Sequence, residues 1–331
     1  MERFRAFQIF NEDGKVSGRL VDLALDDLDA GDVVIRTAYS SINYKDALAA
    51  TGAGKIIRRF PCVGGIDSAG VVAESHSPAF KPGDRVICTS YDLGVAHDGG
   101  YAGYVRVPEG WVVPLPASLT LKEAMALGTA GYTAALGIHL MEQNDLRPES
   151  GKVAVNGATG GVASLAIDML SGRGYAVTAI TGKADESGYL KEIGAAEVLD
   201  RNALEMGKRP LEKPLWAGAV DSLGGEPLAW LTRTMNQNGV IASIGNAAGI
   251  ELHTTVFPFI LRGARLLGVD SAYTAMAVRR RIWQRLGDDL RPRHLDAVTR
   301  VISLDDLPGA FDAFIKGGAR GRTVVELAGE I

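Results

Sequence analysis

Residues 152–163, Lys-Val-Ala-Val-Asn-Gly-Ala-Thr-Gly-Gly-Val-Ala, constrain this chain more than any other stretch. An apolar run from Val153 to Val155 stops at a turn of small residues. It resumes as an amphipathic pattern through Val162, Leu165, Ala166, Met169 and Leu170. That change of period is a strand, a turn and a helix, the opening unit of a dinucleotide-binding fold. Such a turn sets a pyrophosphate against backbone N–H groups at a helix N-terminus, where the helix dipole favours negative charge. Thr159, Gly160, Gly161 and Val162 are the expected contacts. Gly160 allows close approach, and Ala163 is the small residue that lets the helix lie on the strand. The G-x-G-x-x-G pattern is incomplete, because Ala158 stands at its first glycine and Gly157 just before it.

The flanking sequence supports the reading. Beyond a helix ending at Gly172–Gly174, strand patterns at Tyr175–Ile180, Glu197–Leu199, Gly218–Asp221, Val240–Gly245 and Leu266–Val269 alternate with helical ones. This βαβ rhythm predicts a doubly wound parallel sheet. Before the fingerprint, residues 1–115 read as short strands with Gly, Pro and Asp between them: Val33–Tyr39, Ala69–Ala73, a Lys81–Asp84 turn feeding Arg85–Ile87, and Gly99–Val107. They predict an antiparallel sheet or partly open barrel. Leu121–Met141 is helical in pattern. The parallel rhythm ends near Val269, leaving too few residues for an ordinary domain. The expected division is therefore a discontinuous β-rich domain, 1–120 and 268–331, around a nucleotide-binding domain, 121–267.

A net charge of -4 gives no reason to expect a nucleic-acid or membrane partner, and no apolar run of about 18 residues suggests a span. The N-terminus leads into a strand-like segment rather than a signal-peptide core, so the cytoplasm is the expected location. Cys62 and Cys88 are too few for a disulfide framework or a thiolate zinc site, and read as small buried hydrophobes.

The nucleotide's identity turns on the tip of the second parallel strand. Folds specific for NAD commonly carry an acidic residue there for the ribose 2′-OH. This chain has Thr181-Gly182-Lys183, followed by Arg201 after the next strand. A missing acid and two available cations favour NADPH, with Lys183 and Arg201 on the 2′-phosphate. Both could instead be solvated surface charges. Two common oxidoreductase designs are absent. None of the nine tyrosines has a lysine four residues later, as a short-chain dehydrogenase requires, and the two cysteines and five histidines form no zinc-ligand cluster.

Ser41-Ile42-Asn43-Tyr44-Lys45-Asp46, Gly65-Ile66-Asp67-Ser68-Ala69-Gly70, Gly128-Thr129-Ala130-Gly131-Tyr132-Thr133-Ala134 and the fingerprint, in this order, resemble the medium-chain dehydrogenase/reductase superfamily. Where its zinc enzymes carry a ligand Cys ahead of an Asp this chain has Asn43 and Asp46, and where they carry Gly-His-Glu it has Gly65-Ile66-Asp67, which is similar to the zinc-free quinone-oxidoreductase branch. Thr51–Arg58, Pro210–Lys213, Trp216–Asp221, Pro258–Arg262, Gly268–Ser271 and Gly321-Arg322-Thr323 narrow the likeness to the NADPH-dependent acrylyl-CoA reductase subgroup. The resemblance implies a GroES-like β domain, a Rossmann domain, a cleft between them, no metal, and a homodimer.

What it implies chemically is hydride delivery to the β-carbon of a small enoyl-CoA, with negative charge developing on the thioester oxygen. Asn43 would serve the enolate or the nicotinamide carboxamide, or be a turn residue. Tyr44 would contact the cofactor or donate a proton. Asp46, Asp67 and Arg322 would form a buried charge network, with a plain structural ion pair as the alternative for Asp46 and a cofactor phosphate for Arg322. Ile260 and Ser271 would approach the nicotinamide. Lys55, Arg58 and Arg59 would meet CoA phosphates or be a solvated face, and His97 has no assigned role. A quinone or enone reductase is the alternative activity. A non-catalytic NADPH-binding protein is a different class, to which the Asn43–Asp46 and Asp67 motifs would be superfluous.

Overall fold

The computed structural model describes residues 3–331. The chain divides into two compact units. One takes residues up to Thr129 with Ala272–Gly287 and Thr299–Ile331; the other takes Ala130–Ser271 with Asp288–Val298.

The elements, in chain order, begin with β1 (Phe4–Glu12), β2 (Lys15–Leu23), β3 (Val33–Ile42), α1 (Tyr44–Thr51), β4 (Cys62–Val63), β5 (Asp67–Ser75), β6 (Arg85–Thr89), β7 (Tyr104–Val107), β8 (Val112–Pro114) and α2 (Leu121–Gln143). They continue with β9 (Val153–Asn156), α3 (Gly161–Gly172), β10 (Val177–Thr181), α4 (Ser187–Glu192), β11 (Glu197–Asp200), β12 (Trp216–Asp221), α5 (Gly225–Thr234), β13 (Met235–Ser243), α6 (Phe257–Arg262) and β14 (Arg265–Gly268). The C-terminal part holds α7 (Met276–Leu286), α8 (Leu295–Val298), β15 (Thr299–Ser303), α9 (Leu307–Ile315) and β16 (Arg322–Glu326).

In the first unit, β1 and β2 pair as an antiparallel hairpin across Asp13-Gly14, a strong short-range hairpin signal. β4 adds to β1, giving the order β2-β1-β4. The larger sheet runs β15-β16-β3-β5-β6-β8, with β7 also on β3. It is antiparallel except where β15 meets β16. The sequence therefore gives its predicted β-rich layer, but Gly99–Gly103 is not strand. Its amides cross over to carbonyls of Val63, Gly64, Gly65 and Arg5, and only Tyr104–Val107 joins a ladder. One apolar cluster gathers Phe7, Ile9, Ile42, Tyr101, Leu307 and Phe311, so the C-terminal α9 completes a core begun by the first strand.

The second unit is the doubly wound sheet that the alternating pattern predicts. Six parallel strands run in the order β11-β10-β9-β12-β13-β14. Val153–Val155, Val177, Ala179, Ala219, Val220, Val240 and Ile241 are buried, as strands covered on both faces require. Strand order reverses between β9 and β12, the switch point at which sheets of this kind open a crevice beyond their C-terminal ends.

Two features differ from a simple reading of the sequence. α2 is long and apolar enough to cross a membrane by composition, but 83% of its most apolar window is buried and it breaks at Gly128. Its apolarity serves a protein core. The second is the excursion of Asp288–Val298 into the second unit. Asp168, fully buried on α3, accepts hydrogen bonds from the backbone N–H groups of Arg293 (3.1 Å) and His294 (2.7 Å), with His294 Nδ1 also 3.1 Å away. A buried carboxylate needs such donors, and they tether α8.

Candidate active site

The first unit holds a buried polar cluster assembled from three distant stretches. Asn43 follows β3 and caps α1; Asp46 lies in the first turn of α1; Asp67 opens β5; Arg322 opens β16. β3 is central because it pairs with both β5 and β16, and this register draws 67 and 322 toward 41–43.

Asp67 is the acceptor hub. Its Oδ2 receives Ser41 Oγ at 2.6 Å, Asn43 Nδ2 at 2.8 Å and the Thr129 backbone N–H at 3.0 Å, and its Oδ1 receives the Thr129 hydroxyl. Arg322 is the cation, 2% exposed, with Nη2 3.9 Å from Asp67 Oδ2. It donates to the carbonyls of Ala126 (2.9 Å) and Ile42 (3.1 Å), to Asn43 Oδ1 (3.2 Å) and to Ser41 Oγ (2.8 Å). Every guanidinium nitrogen is thus engaged inside the protein, leaving no exposed donor for a phosphate. Burial pulls Arg322 below its ordinary value, and Asp67 and Asp46 push it back.

Asp46 receives the Asn43 N–H (2.8 Å) and Asn43 Nδ2 (3.2 Å) on one oxygen and the Ile66 N–H (3.0 Å) on the other. It closes the first turn of α1 as a capping residue. Desolvation, then the nearby Asp67, raise its carboxyl to about 7 against those hydrogen bonds. Asn43 joins both carboxylates through its NH₂ group and Arg322 through its oxygen, so its amide is spent within the cluster. Tyr44, the first residue of α1, is 51% exposed, and its hydroxyl has no hydrogen-bond partner among the described residues.

Three contributors escaped the sequence reading as individual residues: Ser41, Thr129 and Ser90, whose hydroxyl is 3.1 Å from Thr129 Oγ1. Gly128 makes room for them. It breaks α2 with φ 51°, and a Cβ there would lie 2.6 Å from Asp67 Oδ2, 2.7 Å from Arg322 Nη2 and 2.7 Å from Ser41 Oγ. Any other residue would strain the backbone and displace the cluster.

In the second unit, Thr159 to Val162 span the turn into α3. Gly160 caps that helix without a side-chain hydrogen bond. Thr181, Gly182, Lys183 and Arg201 come together at the tips of β10 and β11. The Lys183 N–H donates to Thr181 Oγ1 (3.0 Å), and Arg201 Nη2 would lie 2.8 Å from a Cβ on Gly182. Arg201 has no hydrogen-bond or ion-pair partner among the described residues. Ser271 accepts the Thr133 hydroxyl at 2.8 Å, whereas Ile260 stands on α6 at 68% exposure. Ser222 Oγ, just past β12, is buried without a hydrogen-bond partner.

The remaining sequence candidates resolve as follows. Arg58 pairs with Asp92 and Arg59 with Asp29, while Lys55 is exposed. His97 Nε2 sits 2.7 Å from the Arg106 carbonyl, and its ring meets Trp111 edge-on. Cys62 and Cys88 are buried free thiols, which desolvation pushes up to about 12. Among the described residues, no three His, Cys, Asp or Glu side chains form a metal-binding group.

Comparison with known proteins bears on both units. Residues 29–117 match the alcohol dehydrogenase GroES-like domain. YhfP of Bacillus subtilis, provisionally named a quinone oxidoreductase, is 47% identical over 98% of this chain and 99% of its own. Its crystal structure with NAD bound aligns with a TM-score of 0.96 at 45% identity, covering 99% of this chain and 100% of that one. The acrylyl-CoA reductase AcuI of Ruegeria pomeroyi is 43% identical over 96% of each chain. The yhdH oxidoreductase of Salmonella enterica, crystallised in complex with NADP, aligns with a TM-score of 0.95 at 45% identity, covering 97% of this chain and 99% of that one.

Proposed function

The chain belongs to the medium-chain dehydrogenase/reductase superfamily, and within it we propose an NADPH-dependent reductase that converts a small enoyl-CoA to its saturated acyl-CoA, in the first place acrylyl-CoA to propionyl-CoA. The observation that carries this reading is the 43% identity to an acrylyl-CoA reductase across 96% of both chains. The first unit is the catalytic domain and the second holds the nucleotide.

The second unit's residues suit a phosphorylated dinucleotide. A helix start at Gly160 with no side-chain cap, the orphaned Ser222 hydroxyl and the unpaired Arg201 guanidinium are what a pyrophosphate, a ribose and a 2′-phosphate would satisfy. Thr159, Gly160, Gly161 and Val162 hold the first, and Thr181, Gly182, Lys183 and Arg201 the last, with Ile260 and Ser271 toward the nicotinamide. NADPH, when bound, supplies the hydride that goes to the substrate's β-carbon. The protein must then tolerate negative charge on the thioester oxygen and let a proton reach the α-carbon. Tyr44, exposed with its hydroxyl uncommitted, is the group to meet cofactor or substrate, and cofactor contact is its primary role. Asn43, Asp46, Asp67 and Arg322 fix where α1, and therefore Tyr44, begins.

Quinone reduction on the same scaffold is the second reading, favoured by the 47% identity to YhfP. Following NADPH oxidation with acrylyl-CoA and with a simple quinone separates the two. Turnover of the thioester is expected, and rapid turnover of the quinone alone would reverse the order. For Tyr44→Phe, unchanged turnover at saturating NADPH rules out an obligatory proton donor.

The enzyme is a cytoplasmic homodimer in this proposal. β14 ends its sheet with one edge unpaired, beside exposed Val256, Phe257, Ile260 and Leu261 on and around α6. Such an edge and patch suit a second copy. A monomeric mass in solution would exclude it.

A further inference from the structure

At the switch point, the β9–β12 ladder runs through Val155↔Val220, and one residue further on two side chains replace the backbone ladder. Asn156 Nδ2 donates to Asp221 Oδ1, and Asn156 Oδ1 accepts the Ser222 N–H at 2.8 Å. Asp221 in turn accepts the N–H of Leu223 (3.4 Å) and of Gly224 (3.0 Å). Three successive amides of the loop leaving β12 are thereby aimed inward at one pair. Asn156 is 1% exposed and Asp221 fully buried, with no cation facing the carboxylate among the described residues. A buried charge without a counter-ion persists only where donors are fixed around it, so the loop and the pair hold each other.

The loop also sets the position of the fingerprint turn. Gly157 has φ 62°, and a Cβ on it would come within 3.2 Å of Leu223 and 3.3 Å of Ser222. Displacing the loop would therefore displace the turn that follows β9. The orphaned Ser222 hydroxyl lies on this same loop.

We propose that Asn156 and Asp221 are positioning residues for the nucleotide, a clamp that fixes the 222–224 loop against the fingerprint turn before any cofactor binds. Neither residue touches the cofactor in this proposal. It rests on the nucleotide reading above, and the experiment keeps the two apart.

Isothermal titration of NADPH into the full-length protein is measured for wild type, Asn156→Asp, Asp221→Asn and the double exchange. The first variant faces two carboxylates together. The second leaves an amide NH₂ against the Gly224 N–H. The exchange restores a donor–acceptor pair with oxygens still turned to the Ser222 and Gly224 amides, giving up only the long Leu223 bond. Each single variant is expected to bind NADPH about tenfold more weakly or worse, and the exchange to recover most of the loss. Singles that bind like wild type, or an exchange no better than the singles, overturn the clamp. A second measurement needs no variant: hydrogen exchange on wild type without NADPH should show slow amides at 222–224. Fast exchange there that slows only with NADPH overturns pre-organisation. Wild type that binds no NADPH at all defeats the nucleotide reading itself, and the clamp with it.

Discussion

The buried cluster around Asp67 and the turn into α3 solve the same problem, holding charge still, with opposite materials. The first uses side chains: two carboxylates, a guanidinium, an amide and hydroxyls drawn from strands and helices far apart in sequence. The second uses backbone: small residues, a helix start without a side-chain cap, and amides free to face an anion. The cluster carries its countercharge within the protein, whereas in the proposed function the turn takes one from a ligand. Substitutions in the cluster should therefore register first as lost stability, and substitutions around the turn as lost affinity.

The largest effect should come from Arg322→Met. It strands Asp67 and Asp46 in the interior without their cation, a change worth roughly 3–5 kcal/mol. Urea unfolding measures it, and a loss under about 1 kcal/mol would mean that hydroxyls and amides alone hold the carboxylates. Next is Gly128→Ala, which brings a methyl into the cluster at a positive φ and should cost roughly 2–4 kcal/mol in the same assay. Wild-type stability would show that the cluster gives way freely.

Asp46→Asn sharpens the comparison through pH. The folded-state carboxyl lies near 7, above its unfolded value, so the stability it contributes is full below about pH 4 and lost as pH rises toward 7. The variant lacks that slope. Relative to wild type it should gain roughly 1–3 kcal/mol between pH 5 and 8, whatever its absolute stability. A difference that does not vary with pH would show that Asp46 is ionised throughout. Arg201→Ala is the smallest change to the fold, within about 0.5 kcal/mol. It should still lower the preference for NADPH over NADH about tenfold. Equal losses for both nucleotides would remove Arg201 from the phosphate.

The two regions also differ in how far the sequence announces them. The strand–turn–helix at Lys152–Ala163 is legible because it is local: the period changes within a dozen residues, and the parallel sheet follows from alternation. The cluster is not local. Asn43, Asp46, Asp67 and Arg322 stand out only by likeness to a family. Ser41, Ser90 and Thr129 carry no signal as single residues, since hydroxyls are common and their convergence depends on sheet register and a break in α2. Asn156 looks like a mere departure from the fingerprint until Asp221 is seen beside it, 65 residues later. The return of Asp288–Val298 is equally hidden, because it depends on a carboxylate buried on α3, 125 residues before the amide of Arg293.

The place of β16 has a consequence for folding. Residues 323–326 supply the partner for one edge of β3, and Arg322 supplies the positive charge beside Asp67. Until β16 is in place, a chain that already holds β3 and β5 has an open strand edge and two carboxylates with no cation to answer them. Closure of the early sheet and neutralisation of its interior thus arrive together, with one strand. A chain cut before Arg322 would lack both.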